Sequence, residues 1–595
     1  MKNTSTNPFP AAFYVANTME IFERLAWYGM YTLLASYIMT PSAQGGLGLG
    51  NNERGLIMGV VPFFLYLFPV ISGALADRFG YRKMFLLSFI LMAPSYYFLG
   101  YATNLGSFIS IFMLIALGAG IFKPVVIATI SRSTDDTNRG LGFGIFYMMV
   151  NIGGFLGPLL APIIQKNYGW QWVFIFATVW ISINFIPALF FYKEPERHTK
   201  TGGLKQVFTE MQEVLGNSRL ALLVVPLLIL LVSFYAGIIS SGETTTIVAA
   251  ALVISAILWD LILAKMPSTS AANSAVSAPW YKQKMKLGNK AFMVYLLILT
   301  GFWTVYLQIF ITLPVFIRDF VDSSDLVHLL HSISPWLHDT LTAINIDTLA
   351  NEITRLSKEF SSVDFHSSKA SIKEISLTLA ALDVRVPNTE LINAFTLLAT
   401  STENLPQVST DFANLWANKY RQMNPATILS IDFLMIILFQ VVISKFIDRF
   451  KALPTLIAGT AILSTAMLIG GFAHGFIFGG LLVAVSVIIF AVGEMTASPK
   501  SQEYVASFAP KEKAAMFMGY YFVSMALGNL FGGLLSGWLY QSLAVDLSNP
   551  ILMWTVIALL GFVTCIALYI FNRTLVKDIE QQQAYQLAQA NPLSE

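Results

Sequence analysis

The sequence predicts an all-α protein that crosses a membrane many times, and three observations carry that prediction. Of 595 residues, 55% are hydrophobic and 12% charged, whereas soluble domains carry about 25% charged residues. Apolar runs long enough to cross about 30 Å of hydrocarbon recur from end to end. Lys and Arg collect in alternate loops between them, the pattern of a positive-inside topology.

Fourteen spans are expected. The first six lie at about 11–39, 53–76, 83–102, 106–130, 140–165 and 171–192. Two bland apolar spans follow at 219–239 and 245–264, then six more at 290–317, 425–445, 453–473, 476–499, 514–540 and 550–572. The basic loops hold Arg78, Arg82 and Lys83, then Arg132 and Arg139, then Lys193, Arg197, Lys200 and Lys205. Later ones hold Lys282, Lys284, Lys286 and Lys290, then Lys445, Arg449 and Lys451, then Lys511 and Lys513, then Arg573 and Lys577. The opposite loops "YATNLGS", "SSGETTT", "GFAHGF" and "QSLAVDLSNP" carry neither residue type. Both termini are therefore expected in the cytoplasm. The start "MKNTSTNPFPAAF" lacks the order of a signal peptide, so Met1 is expected to remain. The lone Cys565 lies in an apolar run and reads as an inert thiol.

The two halves repeat. "ADRFGYRK" echoes "IDRFKALP" at an offset of 371 residues. "FYMMVNIGGFLGPLL" matches "YFVSMALGNLFGGLL", and Pro124 matches Pro499, both at an offset of 375. With the two bland spans set aside, the plan is six plus two plus six. Residues 1–200 form an N-terminal six-helix bundle, and 201–285 form linkers and two spacer helices. Residues 286–317 with 423–575 form a C-terminal bundle, and 576–595 a cytoplasmic tail. Repeated bundles of this kind hold substrate near the midplane between the halves and alternate access by rocking. The polar stretch 318–422 falls on the outer face. It contains His328, His331, His338 and His366 without a strict ligand spacing, so a solvated helical cap is expected and no metal site.

"NTMEIFERLAWYGMY" in the first span needs explaining, because a single charge at the bilayer centre costs roughly 2.5–3.5 kcal/mol. At 100° per residue, Glu20, Glu23, Arg24, Trp27, Tyr28 and Tyr31 fall within about 140° of the helix circumference. That face must look into the bundle interior or a wet cavity. Arg24 can pair with carboxylates through its planar fork. Further partners are Lys123, Asp432 and Glu494 on other spans. Four acids cannot all be neutralised by two protein cations, so some are expected to take up protons near neutrality, the property a proton-driven transporter requires; the alternative is a static ion-pair knot that pins helices together. Arg24, Lys123 and the phenols of Tyr28, Tyr31 and Tyr66 suit a carboxylate; Glu494, Asn151 and Asp432 suit an ammonium. Opposite charges at opposite ends of one cavity suit a zwitterion.

The motifs resemble a known family. "EIFERLAWYGMY" is similar to the ExxERFxYY signature of proton-coupled oligopeptide transporters, within the major facilitator superfamily. "GALADRFGYRK" matches that superfamily's GxxxDRxGxRK loop, with Gly73, Asp77, Arg78, Gly80, Arg82 and Lys83. "GIFKPVVIATI" resembles GxFKPN, "FYMMVNIGGFLGPLL" resembles FYxxINxGxxxxPL, and "GFWTVYLQ" resembles FWxxxEQ. The run from Gly493 to Asn529 resembles GExxxSPxG…AP…MGxWFxxxALGN.

The resemblance implies the major facilitator fold, two pseudo-symmetric six-helix bundles plus two extra helices. It also implies a monomeric symporter in the bacterial inner membrane, in contact with lipid, that imports di- and tripeptides with protons and has no cofactor. Glu20, Glu23, Arg24 and Lys123 would form the proton-linked network. Arg24, Tyr28 and Lys123 would face the peptide carboxylate, and Asn151 and Glu494 its amino group. Trp27, Tyr31, Tyr66, Trp303, Gln308 and Ser498 would line the cavity.

The chain also departs from the family. Tyr31 stands where Arg is common and Leu307 where Glu is common, so a usual salt bridge is lost with neither charge stranded. Asp432 stands where Asn is usual and is expected to replace the missing carboxylate in coupling. Trp27 and Leu25 replace a Tyr and a Phe of the first signature. The same fold could carry another small zwitterion or an organic anion, or serve as a non-transporting receptor. An enzyme or ATP-driven pump is not expected, since GxxxxGK[ST], HExxH and GxSxG are absent. "GGLGLGNNERG" reads as a flexible outer connector.

Overall fold

The structure is a computed structural model. It describes residues 9–135, 138–194, 217–239, 241–265, 281, 283–286, 289–361, 363, 368–400, 404–508 and 514–574. Arg197, Lys200, Lys205, Lys282, His366, Lys511, Lys513, Lys577, most of the 201–285 linkers and the 576–595 tail lie outside the described residues, as does the side chain of Asp77.

The first bundle comprises α1 (Ala11–Met39), α2 (Asn51–Leu67), α3 (Pro69–Phe79), α4 (Tyr81–Leu99), α5 (Leu105–Arg132), α6 (Arg139–Tyr168) and α7 (Trp170–Ile183). The spacers are α8 (Ser218–Tyr235) and α9 (Gly242–Lys265). The second bundle opens with α10 (Lys290–Tyr306), α11 (Gln308–Ile311) and α12 (Leu313–Phe320). Six helices of the insertion follow: α13 (Ser324–Ile333), α14 (Pro335–Leu341), α15 (Ile346–Glu359), α16 (Lys369–Ala380), α17 (Asn388–Thr400) and α18 (Leu405–Lys419). The bundle closes with α19 (Pro425–Ile447), α20 (Ala452–Gly471), α21 (Gly479–Phe508), α22 (Ala514–Leu539) and α23 (Pro550–Arg573).

Among the described residues, twelve helices are long and apolar enough to cross a membrane. Two more of the expected fourteen, α1 and α4, are helices of 29 and 19 residues; α1 carries three charges and α4 opens with Arg82 and Lys83. Three expected single helices are broken, the 171–192 span at Asn184, before a π-helical turn at Pro187–Phe191. The 53–76 span is divided at Phe68, next to Pro69, and the 290–317 span at Leu307 and Thr312. Gly80, at φ 101°, turns the chain between α3 and α4 in a conformation that a side chain would strain.

The internal repeat is visible in the packing. α1 packs on α6 as α10 does on α22; α4 packs on α5 and α7 as α20 does on α21 and α23. α2 packs on α5 as α19 does on α21. The halves join along two related seams, α2 with α22 and α6 with α19. Lipid gives helices no hydrophobic reason to associate, so close backbone approach matters. At Gly533 an added Cβ would sit 2.4 Å from Gly59 Cα, so the α2–α22 seam tolerates no side chain there. α8 rests on α2, with Leu228, Leu231 and Val232 against Leu56 and Leu534. Asp260 of α9 pairs with Arg219 at 3.0 Å and accepts the Met285 amide.

The insertion has its own core, built on Leu349, Ile353, Leu379, Val384, Phe395 and Trp416. It is more than a solvated surface: the amphipathic α15 turns Leu349, Ile353 and Leu356 inward. Asn345 caps α15 by accepting the Thr348 amide at 2.9 Å. A tongue after α16 is pinned by an antiparallel bridge between Val384 and Arg421. Arg385 donates to the carbonyls of Arg318 at 2.6 Å and Asp319 at 3.1 Å, tying this cap to α12. His331 and His338 meet edge to face, 5.0 Å apart, and His338 bonds Asp339.

Candidate functional site

The charged stripe of α1 is buried, and so is much of the remaining surface, since Met19, Leu25, Ala26 and Met30 are enclosed like Glu20, Glu23 and Arg24 while Thr18 is exposed and Ile21 and Phe22 are half-buried. α6 makes this possible by presenting Gly153 and Gly157 to the α1 backbone. Arg24 Nε lies 3.2 Å from Glu20 Oε1 and donates to Glu23 Oε2 at 2.5 Å. The guanidinium Nη2 also contacts Glu23. Arg24 sits over the Tyr28 ring at 5.9 Å.

Lys123, on α5, points its ammonium at the Tyr66 ring, 4.3 Å from the centroid. Among the described residues no carboxylate lies within ion-pairing distance of it. On the other half, Glu494 of α21 accepts a hydrogen bond from the Tyr306 hydroxyl at 2.9 Å. Its second oxygen and both oxygens of Asp432 are buried without a hydrogen-bond partner. Among the described residues neither acid has a cation at ion-pair distance. Tyr28 links the two groups, its ring lying under Arg24 and against Phe433, the residue next to Asp432. The six charged candidates therefore converge in one interior region, with the cations on the first half and the unpaired acids on the second.

Aromatic rings fill the space between. Tyr28 lies 4.7 Å from the Phe433 ring and 5.9 Å from Phe310. Tyr306 packs on Phe310, Phe490 and Trp303. Tyr306, Phe310, Phe433 and Tyr147 were not singled out in the sequence; Tyr306 lies within the quoted "GFWTVYLQ". Trp27 stacks on Tyr31 and Phe112. The Tyr31 hydroxyl and the Trp303 indole nitrogen are buried without partners. Asn151 turns its amide to the Tyr147 carbonyl at 2.8 Å. Ser498 sits half-buried on α21, one turn beyond Glu494.

Gln308 differs from its expected role. Its amide donates to the carbonyls of Thr304 at 2.8 Å and Gly532 at 3.1 Å, and its oxygen takes the Thr312 hydroxyl. It satisfies backbone exposed by the break at Leu307 and anchors α11 to α22. "GGLGLGNNERG" is corrected as well, since Asn51–Arg54 form the first turn of α2. Arg54 is fully buried and donates to the Ile311 carbonyl at 2.5 Å and to Ser536 at 3.2 Å. It lies over the Tyr540 ring, whose hydroxyl donates to Asp319 at 2.6 Å. This network closes the seam at the cap end. At the opposite end, Arg82 donates to the Ala188 carbonyl at 3.1 Å and its backbone amide to Glu194 at 2.9 Å. Arg78 lies over the Phe79 ring, Gly73 faces Pro124, and Lys83 is exposed.

A helical repeat around a buried charge cluster defines a class of membrane carrier, and family comparison agrees. Residues 21–248 and 406–588 match the Major Facilitator Superfamily model, and the chain belongs to that superfamily. Within it, the chain is 29% identical over 195 residues to "Dipeptide and tripeptide permease A" of Pectobacterium carotovorum, covering 32% of this chain and 38% of the relative. It is 30% identical over 178 residues to the "Di-/tripeptide transporter" of Lactococcus lactis, covering 29% and 35%. An "Uncharacterized transporter" of Bacillus subtilis is 31% identical over 180 residues, covering 30% and 37%. The matches thus span well under half the length of these curated relatives. Among solved structures, a POT family transporter in complex with 5-aminolevulinic acid superposes with a TM-score of 0.58 at 18% identity, covering 94% of this chain and 96% of that one. An auto-inhibited POT family peptide transporter gives 0.60 at 16%, covering 95% and 97%. The fold is shared, and the resemblance read from the motifs is borne out.

Proposed function

We propose that the chain is a proton-driven symporter that imports di- and tripeptides by alternating access. The observation that carries this reading is the polarised interior. Arg24 and Lys123 offer cations on one half, while Asp432 and Glu494 stand without a cation on the other. A peptide zwitterion spans such a site with its carboxylate toward the first half and its ammonium toward the second. When the site is empty, a proton substitutes for the ammonium on one of the two acids, which links proton and cargo. The names of the relatives support the same cargo. A different small zwitterion would meet the same charges, and the 5-aminolevulinic acid bound to one structural neighbour favours keeping that second reading.

In this reading the chain acts as a monomer in the bacterial inner membrane, with both termini in the cytoplasm and the cap outside, and it holds no cofactor. Asp432 takes the coupling role that Leu307 cannot. The network at Arg54 then closes the outer side of the seam. The deciding experiment is uptake of a labelled dipeptide into proteoliposomes under an imposed pH gradient, repeated with Glu20→Gln and Lys123→Ala. Wild type accumulates peptide and both variants lose gradient-driven uptake. Transport at the wild-type rate by both variants overturns the reading.

A further inference from the structure

The halves meet along two seams, and at the cap end each seam is bridged by a different device. On the α2–α22 seam the bridge is Arg54, bonded to the Ile311 carbonyl and to Ser536. On the α6–α19 seam it comes from the cap. Lys166, near the end of α6, places Nζ 2.7 Å from Asp383 Oδ2, with the side chains only 10% and 7% exposed. Asn424, the N-cap of α19, donates to the same oxygen at 3.2 Å. One carboxylate oxygen of the tongue thus holds the outer ends of two helices from opposite halves.

The tongue itself is built into the second half. The Asp383 carbonyl takes the Gln422 amide at 2.8 Å, and Arg385 holds the end of α12. Ser323 donates its amide to the Gln422 side chain at 2.6 Å, and Lys373 donates to the Val545 carbonyl at 3.3 Å. Toward the first half, the Lys166 pair is joined by Asn345, which donates to the Lys166 carbonyl at 3.3 Å. Beside these bonds lies a cleft of about 300 Å³ whose walls include Gln44, Asn167 and Thr348. The apolar core of the cap is separate from that of the bundles. These polar bonds to the first half can therefore release without uncovering the core of the cap.

We propose that Asp383 is an outer latch, carried by the cap, that fastens the second half to Lys166 of the first. The pair forms only while the outer ends of α6 and α19 are together. It stabilises the form closed on the cap side and breaks when the interior opens outward. This inference rests on the alternating-access reading above and on no particular cargo. Removing either charge strands the other only while the outer side is closed, since opening returns it to water. Loss of the pair therefore shifts the carrier toward its outward-open form.

The test exploits the chain's single cysteine. In a Cys565→Ser background, Ala426→Cys places a reporter in the first turn of α19. Ala426 is fully buried and lies two turns before Phe433, on the face that meets Gly154 of α6. A membrane-impermeant maleimide is expected to label this reporter slowly in the purified full chain. Adding Asp383→Asn or Lys166→Met is expected to speed labelling about tenfold. Native Cys565, buried on α23, is expected to stay unlabelled in both variants. An unchanged rate at the reporter, or a Cys565 that becomes reactive as well, overturns the latch. So do melting curves showing that neither variant folds, since a latch is dispensable for folding. Loss of gradient-driven dipeptide uptake with the labelling shift intact counts against the cargo reading alone.

Discussion

The two halves repeat each other in packing but not in charge. In the first, Arg24 is shared between Glu20 and Glu23, so one buried cation answers two carboxylates within hydrogen-bond distance. In the second, Glu494 has a tyrosine for a partner and Asp432 has none. A duplicated scaffold thus carries two different charge arrangements, a paired network on one side and acids without a cation on the other. The difference teaches where a cationic group of a cargo could be received, since Asp432 and one oxygen of Glu494 stand without partners whereas Glu20 and Glu23 already share a guanidinium.

The comparison can be broken most severely at Arg24. Arg24→Ala leaves two buried carboxylates unpaired, and removing one member of a buried ion cluster costs roughly 3–5 kcal/mol. Transport is expected to fall to background, and the melting temperature of the purified protein to drop. A well-folded, active Arg24→Ala variant would mean that the first half is not a fixed network.

The next largest effect is expected at Asp432. In Asp432→Asn, accumulation driven by a pH gradient falls about tenfold or more, worth about 1.4 kcal/mol, while counterflow exchange without a gradient persists. Equal loss in both assays would place Asp432 in cargo binding instead of coupling.

Tyr306→Phe sharpens the contrast further, because it strips Glu494 of its one hydrogen bond. A bond to a charged group contributes about 1.5–3 kcal/mol, so the apparent KM for peptide should rise about tenfold with a smaller change in maximal rate. An unchanged KM would show that Glu494 does not meet the cargo.

The smallest effect is a control outside the bilayer. Burial pushes the Glu390 carboxyl up, but hydrogen bonds from Tyr420, Lys419 and Trp416 outweigh it and hold the group below its ordinary value. A depressed value stabilises the cap above the ordinary carboxylate range and is lost as pH falls through the lowered one, below about pH 4. Tryptophan fluorescence of the cap should therefore stay flat from neutrality down to that point. A transition near neutral pH would contradict it.

Much of this was legible in the sequence because membranes penalise charge so heavily. Glu20, Glu23, Arg24, Lys123, Asp432 and Glu494 stood out because charge in apolar runs demands partners or a wet cavity, and the structure buries most of them in the interior. The apolar runs and the alternating basic loops gave the order of the helices for the same reason. Tyr306, Phe310 and Phe433 were hidden because aromatic residues are ordinary in spanning helices, and only their placement against Glu494 and Tyr28 distinguishes them. Arg54 was hidden by its neighbours, since a polar first turn after a glycine-rich stretch reads as a loop. Gln308 misled in the other direction. Its motif suggested a cargo contact, whereas the break beside it creates a local demand for an amide that no pattern of residues announces.

That break has a mechanical meaning. α1 runs unbroken through 29 residues, while its counterpart is three pieces, α10, α11 and α12, hinged at Leu307 and Thr312. A stiff rod faces an articulated one across the same axis. The side chains of Gln308, Thr312 and Arg54 splint the jointed member, bonding across its breaks to α22 and to the Ile311 carbonyl.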